Sequence, residues 1–162
     1  MSVKEDGIIG KLEELTQLSS ECLLIEKKIP NKKYKGLYFD NIIVIDKSVK
    51  GKEYNEVLAE EIGHHYTSAG NILDYKKTKN IKQEVKARRY GIELIVTLDG
   101  LIEAWRLGLH NLYEVAEHFE VRQSYVLDAL NYYKVKYNNV AMHNGYRITF
   151  DPLHIMIYKE IN

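Results

Sequence analysis

Apolar residues recur at helical spacing in some stretches of this chain and as short β-branched runs in others. Leu12, Leu15, Leu18, Cys22 and Leu23 share one face of a 3.6-residue repeat, which predicts a first helix within residues 5–27. The run "KGLYFDNIIVIDKS" sets aromatic and β-branched residues on either side of Asp40-Asn41, predicting two strands over 36–46 joined by a tight turn. Leu58, Ile62 and Tyr66 then recur every four positions and predict a helix over 53–67. Beyond the breaker "SAGN" a second long helix is expected over 81–99, on which Ala87 and Gly91 are small enough to admit another helix at close range.

The second half repeats this change of period. Two short amphipathic stretches between Leu109 and Tyr133, interrupted near Glu120-Val121, make a helix-turn-helix-like pattern over 108–133. Within residues 138–160, Asn144-Gly145 separates two apolar runs and signals a type I′ hairpin. The strands, at 36–46 and near 140–158, are segregated from the helices and do not alternate with them. The fold class is therefore α+β, a mainly helical body with a small antiparallel sheet. At 162 residues and 45% hydrophobic content, one proper core can be buried. The chain reads as a single domain over 1–162, with a main core at 5–105 and the terminal strands at 138–160.

Charge and cysteine content narrow the class of function. Lys plus Arg and Asp plus Glu balance at 23 each, so no global field directs the chain to nucleic acid or an anionic membrane. In the helix-turn-helix-like segment Arg122 stands against Glu114, Glu117, Glu120 and Asp128, a formal −3 that DNA would repel. A structural or protein-docking role is expected there, without direct nucleic-acid contact. Cys22 has no partner for an internal disulfide and reads as a packing residue in a reducing compartment. No signal-peptide run opens the sequence and no stretch reaches the 18 or so apolar residues of a membrane span, so a cytoplasmic protein without membrane attachment is expected.

One stretch carries candidate chemistry. Glu60-Glu61-Ile62-Gly63-His64 resembles the zinc-peptidase helix H-E-x-x-H with a glutamate in the first position. Residues four apart on a helix share a face, so Glu60 and His64 can hold one ion, and a carboxylate is an accepted zinc ligand. Glu61 would then stand beside the attacking water as general base. Pairing Glu61 with His65 instead would put Ile62 in the base position, where no proton can be accepted, which leaves His65 supporting the site, facing substrate or merely exposed. A third ligand is needed, and Glu84, near the start of the downstream helix, is the first candidate, ahead of Glu93, Asp99 and Glu103. The competing reading is a charged, solvated helix face.

The stretch "IIVIDKSVKGKEYNEVLAEEIGHHYTSAGNI", followed by "KQEVKARRYG", resembles the ImmA/IrrE metallopeptidase family. In that family a strand pair precedes the H-E-x-x-H helix of a zincin-like body, and a second helix brings a glutamate ligand in an E-x-x-A-N type motif. Here Glu84 and Ala87 keep the E-x-x-A spacing, while Arg88 replaces the asparagine. The resemblance implies Glu60, His64 and Glu84 as metal ligands and Glu61 as catalytic base. His65, Tyr66 and Tyr90 are the possible oxyanion donors. It also implies zinc as cofactor and, as protein partner, a helix-turn-helix repressor of a prophage or mobile element that the enzyme cleaves. The glutamate for histidine exchange has a chemical consequence. A divalent ion keeps one net positive charge with two histidines and one glutamate, but is neutralised by two glutamates and one histidine. Such a site is a weaker electrophile, and its oxygen-rich shell also accepts manganese. The same exchange fits a descendant that binds the repressor without cutting it. Lys47, Lys50, Lys52 and the run "YKKTKNIK" flank the motif helix, where they are solvated or offer a basic rim to an acidic repressor segment.

Overall fold

In a computed structural model of the protein, residues 10–68 and 81–158 are described, and they group into two compact units, Met1–Gly91 and Ile92–Asn162. The breaker after Ser68 and all of the run at 75–82 except its last two residues lie outside the described residues.

The first unit opens with α1 (Lys11–Leu18) and β1 (Leu23–Glu26), followed by β2 (Gly36–Phe39), β3 (Ile42–Ile45), α2 (Lys52–Thr67) and the start of α3 (Ile81–Ile95). The first helix is thus shorter than its apolar spacing predicts. Cys22 and Leu23 fit the helical wheel, but residues 23–26 pair in parallel with β3, Leu23 opposite Ile42 and Glu26 opposite Ile45. A non-local partner strand outcompetes a local spacing that nothing in the sequence distinguishes from helix. β2 and β3 form the expected antiparallel pair, and Asp40 (φ 46°) and Asn41 (φ 59°) give the turn the two positive φ values of type I′. Strand order is β1-β3-β2. Ile43 and Ile45 alternate with half-buried Ile42 and Val44 and present one face to α2, whose Leu58 and Ile62 are fully buried with Leu15 and Val49.

The second unit contains the end of α3, then α4 (Leu98–Arg106), α5 (Leu112–Phe119), α6 (Gln123–Lys136), β4 (Val140–His143), β5 (Tyr146–Phe150) and β6 (Leu153–Ile157). The helix expected over 81–99 stops at Ile95. Thr97 is extended (φ −76°, ψ 156°) and its hydroxyl accepts from the Gly100 amide at 2.9 Å, so it starts α4 instead of continuing α3. The helix-turn-helix-like pattern holds. Asn111 and Glu114 form a capping box on α5, and Glu120 turns the chain in the left-handed conformation (φ 55°, ψ 41°). β4, β5 and β6 make an antiparallel sheet in chain order, and Asn144 (φ 46°) and Gly145 (φ 79°) form the type I′ turn. Tyr133 of α6 packs its ring 5.5 Å from that of Phe150 on β5 and donates its hydroxyl to the Val96 carbonyl at 2.6 Å. The class is α+β and mainly helical, with one unforeseen parallel strand pair. No helix among the described residues is long and apolar enough to cross a membrane.

Candidate metal centre

Helix α2 presents two working faces. Along one, the backbone approaches α3 so closely that side chains are excluded: a Cβ on Gly63 would stand 2.2 Å from the Ala87 carbonyl oxygen, and one on Gly91 would stand 2.9 Å from the backbone of Ala59. The small pair Ala87 and Gly91 therefore does what its spacing suggests, and Gly63 is its counterpart on α2. Glu84 lies three residues before Ala87 on the same face of α3. It is carried beside His64, with Oε1 3.6 Å from Nε2.

Glu60, one turn before His64, completes the group. One ligand atom from each of Glu60, His64 and Glu84 falls within 4.8 Å of the other two. His64 is buried and the two glutamates are half-buried. Zinc bonds of about 2.0–2.2 Å in tetrahedral geometry place neighbouring donor atoms about 3.3–3.6 Å apart, so the His64–Glu84 separation already matches a shared ion. One imidazole and two carboxylates are an acceptable set for zinc and for a harder ion such as manganese. The residues fit a divalent cation.

The other face of α2 carries Val57, Glu61 and His65, each four residues apart, toward β2. A Cβ on Gly36 would stand 2.5 Å from Glu61 Oε1 and 2.7 Å from Val57 Cγ1, so only glycine lets the strand reach the carboxylate. Glu61 is 3% exposed and its Oε2 is shielded from solvent together with His64 Nε2 and Glu84 Oε1. Glu61 thus follows Glu60 directly on the helix, buried and outside the Glu60–His64–Glu84 donor set.

The remaining candidates are placed elsewhere. Glu93 is engaged by Tyr132 and Lys136; burial alone would push its carboxyl up, but those two bonds outweigh it and hold the pKa below the usual carboxylate range. Asp99 accepts from Asn144 and pairs with His143 at 2.9 Å, and Glu103 lies 3.8 Å from His118. His65 Nδ1 lies 2.9 Å from the Tyr38 hydroxyl, and its Nε2 is 3.5 Å from Glu21 Oε2, which gives it a positioning environment and no ligand role. Tyr66 and Tyr90 stack on each other, 5.4 Å between ring centroids, and burial followed by the neighbouring Tyr66 raises the Tyr90 phenol pKa. Gly36, Tyr38 and Glu21 were not singled out by the sequence pattern. For Gly36 a signal existed, since a glycine in an apolar strand marks close backbone approach.

The family model described as IrrE N-terminal-like domain, a peptidase family, matches residues 19–131. No curated protein matches the chain.

Proposed function

The chain belongs to the IrrE N-terminal-like peptidase family, and from that premise we propose that it is a metal-dependent endopeptidase acting on a helix-turn-helix transcriptional repressor. Family membership supports a metallopeptidase type of function. The observation that carries the proposal is the convergence of Glu60, His64 and Glu84, on a helix whose next residue after Glu60 is the buried Glu61.

Glu60, His64 and Glu84 would hold a zinc or manganese ion, which would supply Lewis-acid polarisation of the peptide carbonyl. Glu61 accepts the proton of the attacking water on a carboxylate oxygen and returns it to the leaving amide nitrogen. Gly36 keeps the strand backbone against Glu61 Oε1, which limits the rotamers open to that carboxylate and holds it for the transfer. Repressor cleavage, the link to a prophage or mobile element and action in the cytoplasm rest on the family resemblance of the motif stretch.

A second reading is favoured by one feature, the replacement of the first histidine by Glu60 and of the motif asparagine by Arg88. In that reading the protein is an antirepressor that binds the repressor without cutting it. Co-expression with any helix-turn-helix repressor found encoded beside the gene separates the two. Wild type shortens the repressor on a gel and Glu61→Gln leaves it intact if the protein is a protease. Equal relief of repression by both, with an intact repressor that co-purifies, overturns the enzymatic reading.

A further inference from the structure

The charge of this chain is neutral overall but unevenly spread. Residues 27–52 hold eight lysines against Asp40 and Asp46, a formal +6 within a chain whose net charge is zero. Seven of these lysines sit on loops that one residue ties together, and Lys52 opens α2. Asp46 accepts from the amides of Ile29 (2.6 Å) and Ser48 (2.9 Å), and its own amide donates to the Lys35 carbonyl at 2.9 Å. Lys50 is spent on Glu26 and Lys35 on Glu53. Lys27, Lys32, Lys33 and Lys47 are exposed, and no carboxylate among the described residues lies within ion-pair distance of them.

The loops have a fixed relation to the catalytic carboxylate. Lys32 and Lys33 occupy a turn closed by the Tyr34 amide on the Asn31 carbonyl, immediately before the strand whose Gly36 abuts Glu61. Three or four residues span at most about 10–14 Å, so the backbone of that turn lies no farther than that from Gly36. At the other end of β2 are Tyr38 and Phe39, followed by Asp40. The sequence along β2 therefore passes from cationic residues before its start to aromatic residues and then Asp40 at its end.

We propose that the lysine-bearing loops at 27–35 and 46–52 dock an acidic peptide segment that flanks, on one side only, the bond presented to Glu61. This rests on the peptidase reading and adds a substrate class to it. Flexible lysines on turns suit a run of carboxylates, which they hold as mobile point charges without demanding a fixed geometry. Their effect is on encounter and on holding the segment against dissociation, and it weakens as salt rises.

The test uses the full chain carrying Glu61→Gln, so that binding is read without turnover. Fluorescence anisotropy follows three labelled peptides of twelve residues, identical but for four positions occupied by Glu, Gln or Lys. The Glu peptide is expected to bind at least about tenfold tighter than the Gln peptide at low salt, and to lose most of that advantage at 0.3 M salt. Lys32→Glu with Lys33→Glu should erase the preference, and Lys32→Gln with Lys33→Gln should weaken it by an intermediate factor. Equal affinity for all three peptides, or tighter binding of a 20-base-pair DNA duplex than of the Glu peptide, overturns the proposal. Cleavage by wild type is scored separately on the co-expressed repressor: acid-selective peptide binding with a repressor left intact sinks the peptidase reading alone, and repressor cleavage without acid-selective peptide binding sinks the docking surface alone.

Discussion

Gly63 lies against the backbone of Ala87, and a single added carbon would come within 2.2 Å of the Ala87 carbonyl oxygen. Nothing flexible is available to yield at that contact, because the opposing atoms are main chain. The closeness of α2 and α3 there is what sets His64 beside Glu84. Gly63→Ala gains up to about 1 kcal/mol of intrinsic helix propensity, yet overpacking at such a contact costs about 1–3 kcal/mol and pushes the helices apart. The variant is expected to fold with reduced stability and to bind zinc more weakly than wild type. Chemical denaturation and zinc titration on the same preparation check this, and unaltered zinc affinity would show that the helix spacing does not set the site.

Metal binding should appear as stability. A ligand that binds only the folded state at about a hundred times its dissociation constant adds about 2.7 kcal/mol. Zinc should therefore raise the melting temperature of wild type, and chelation should reverse it. His64→Ala and Glu84→Ala should lose the shift, each removing one of three donors. Glu60→His restores the common donor set, and the preference for zinc over manganese should widen because imidazole favours the softer ion. Elemental analysis gives the stoichiometry, and a zinc shift retained by both alanine variants would exclude this donor set.

Much of this arrangement was legible in the sequence because it depends on local period. The α2 helix follows from Leu58, Ile62 and Tyr66, a tight turn follows from Asp40-Asn41 and a type I′ turn from Asn144-Gly145, and Ala87 and Gly91 announce a close helix contact. What was not legible depends on partners distant in the chain. Residues 23–26 leave the helical pattern only because β3 offers a parallel ladder, and the end of α3 is set by Thr97 capping the next helix. Within the site, Glu60, Glu61 and His64 are fixed by helical spacing. Glu84 follows from the E-x-x-A spacing of the resemblance; what that spacing does not show is that Glu93, Asp99 and Glu103 are engaged by Tyr132 and Lys136, by His143 and Asn144, and by His118.

Tyr133 offers a test of the second unit independent of the site. Its hydroxyl donates to the Val96 carbonyl at 2.6 Å in a region where the ring is 2% exposed. Tyr133→Phe keeps the ring packing on Phe150 but takes the hydroxyl donor from a buried carbonyl. Loss of a buried partner costs about 1–3 kcal/mol, and a denaturant midpoint unchanged from wild type would show that the bond contributes nothing.

Asp46 connects stability, pH and the lysine loops. Its pKa is lowered to about 2, first by the Ser48 hydroxyl, then by the Ile29 and Ser48 amides, with Lys28 adding a smaller attraction. A carboxyl whose folded pKa lies below its unfolded value of about 3.9 stabilises the folded state above that value. That contribution is lost as pH falls from about 4 to about 2, where the group protonates in both states. Asp46→Asn mimics the protonated form, since its amide can accept through only one oxygen. The variant should be less stable than wild type at pH 6, and the difference should close as pH falls toward 2. Thermal unfolding at pH 6, 4 and 2.5 reads the convergence, and a difference that stays constant across that range would assign the effect to something other than the carboxylate. Because Asp46 holds the 27–35 and 46–52 segments together, the same variant should also weaken the acidic-peptide preference at neutral pH while leaving the zinc-induced rise in melting temperature intact. Loss of both together would instead indicate a general loosening of the first unit.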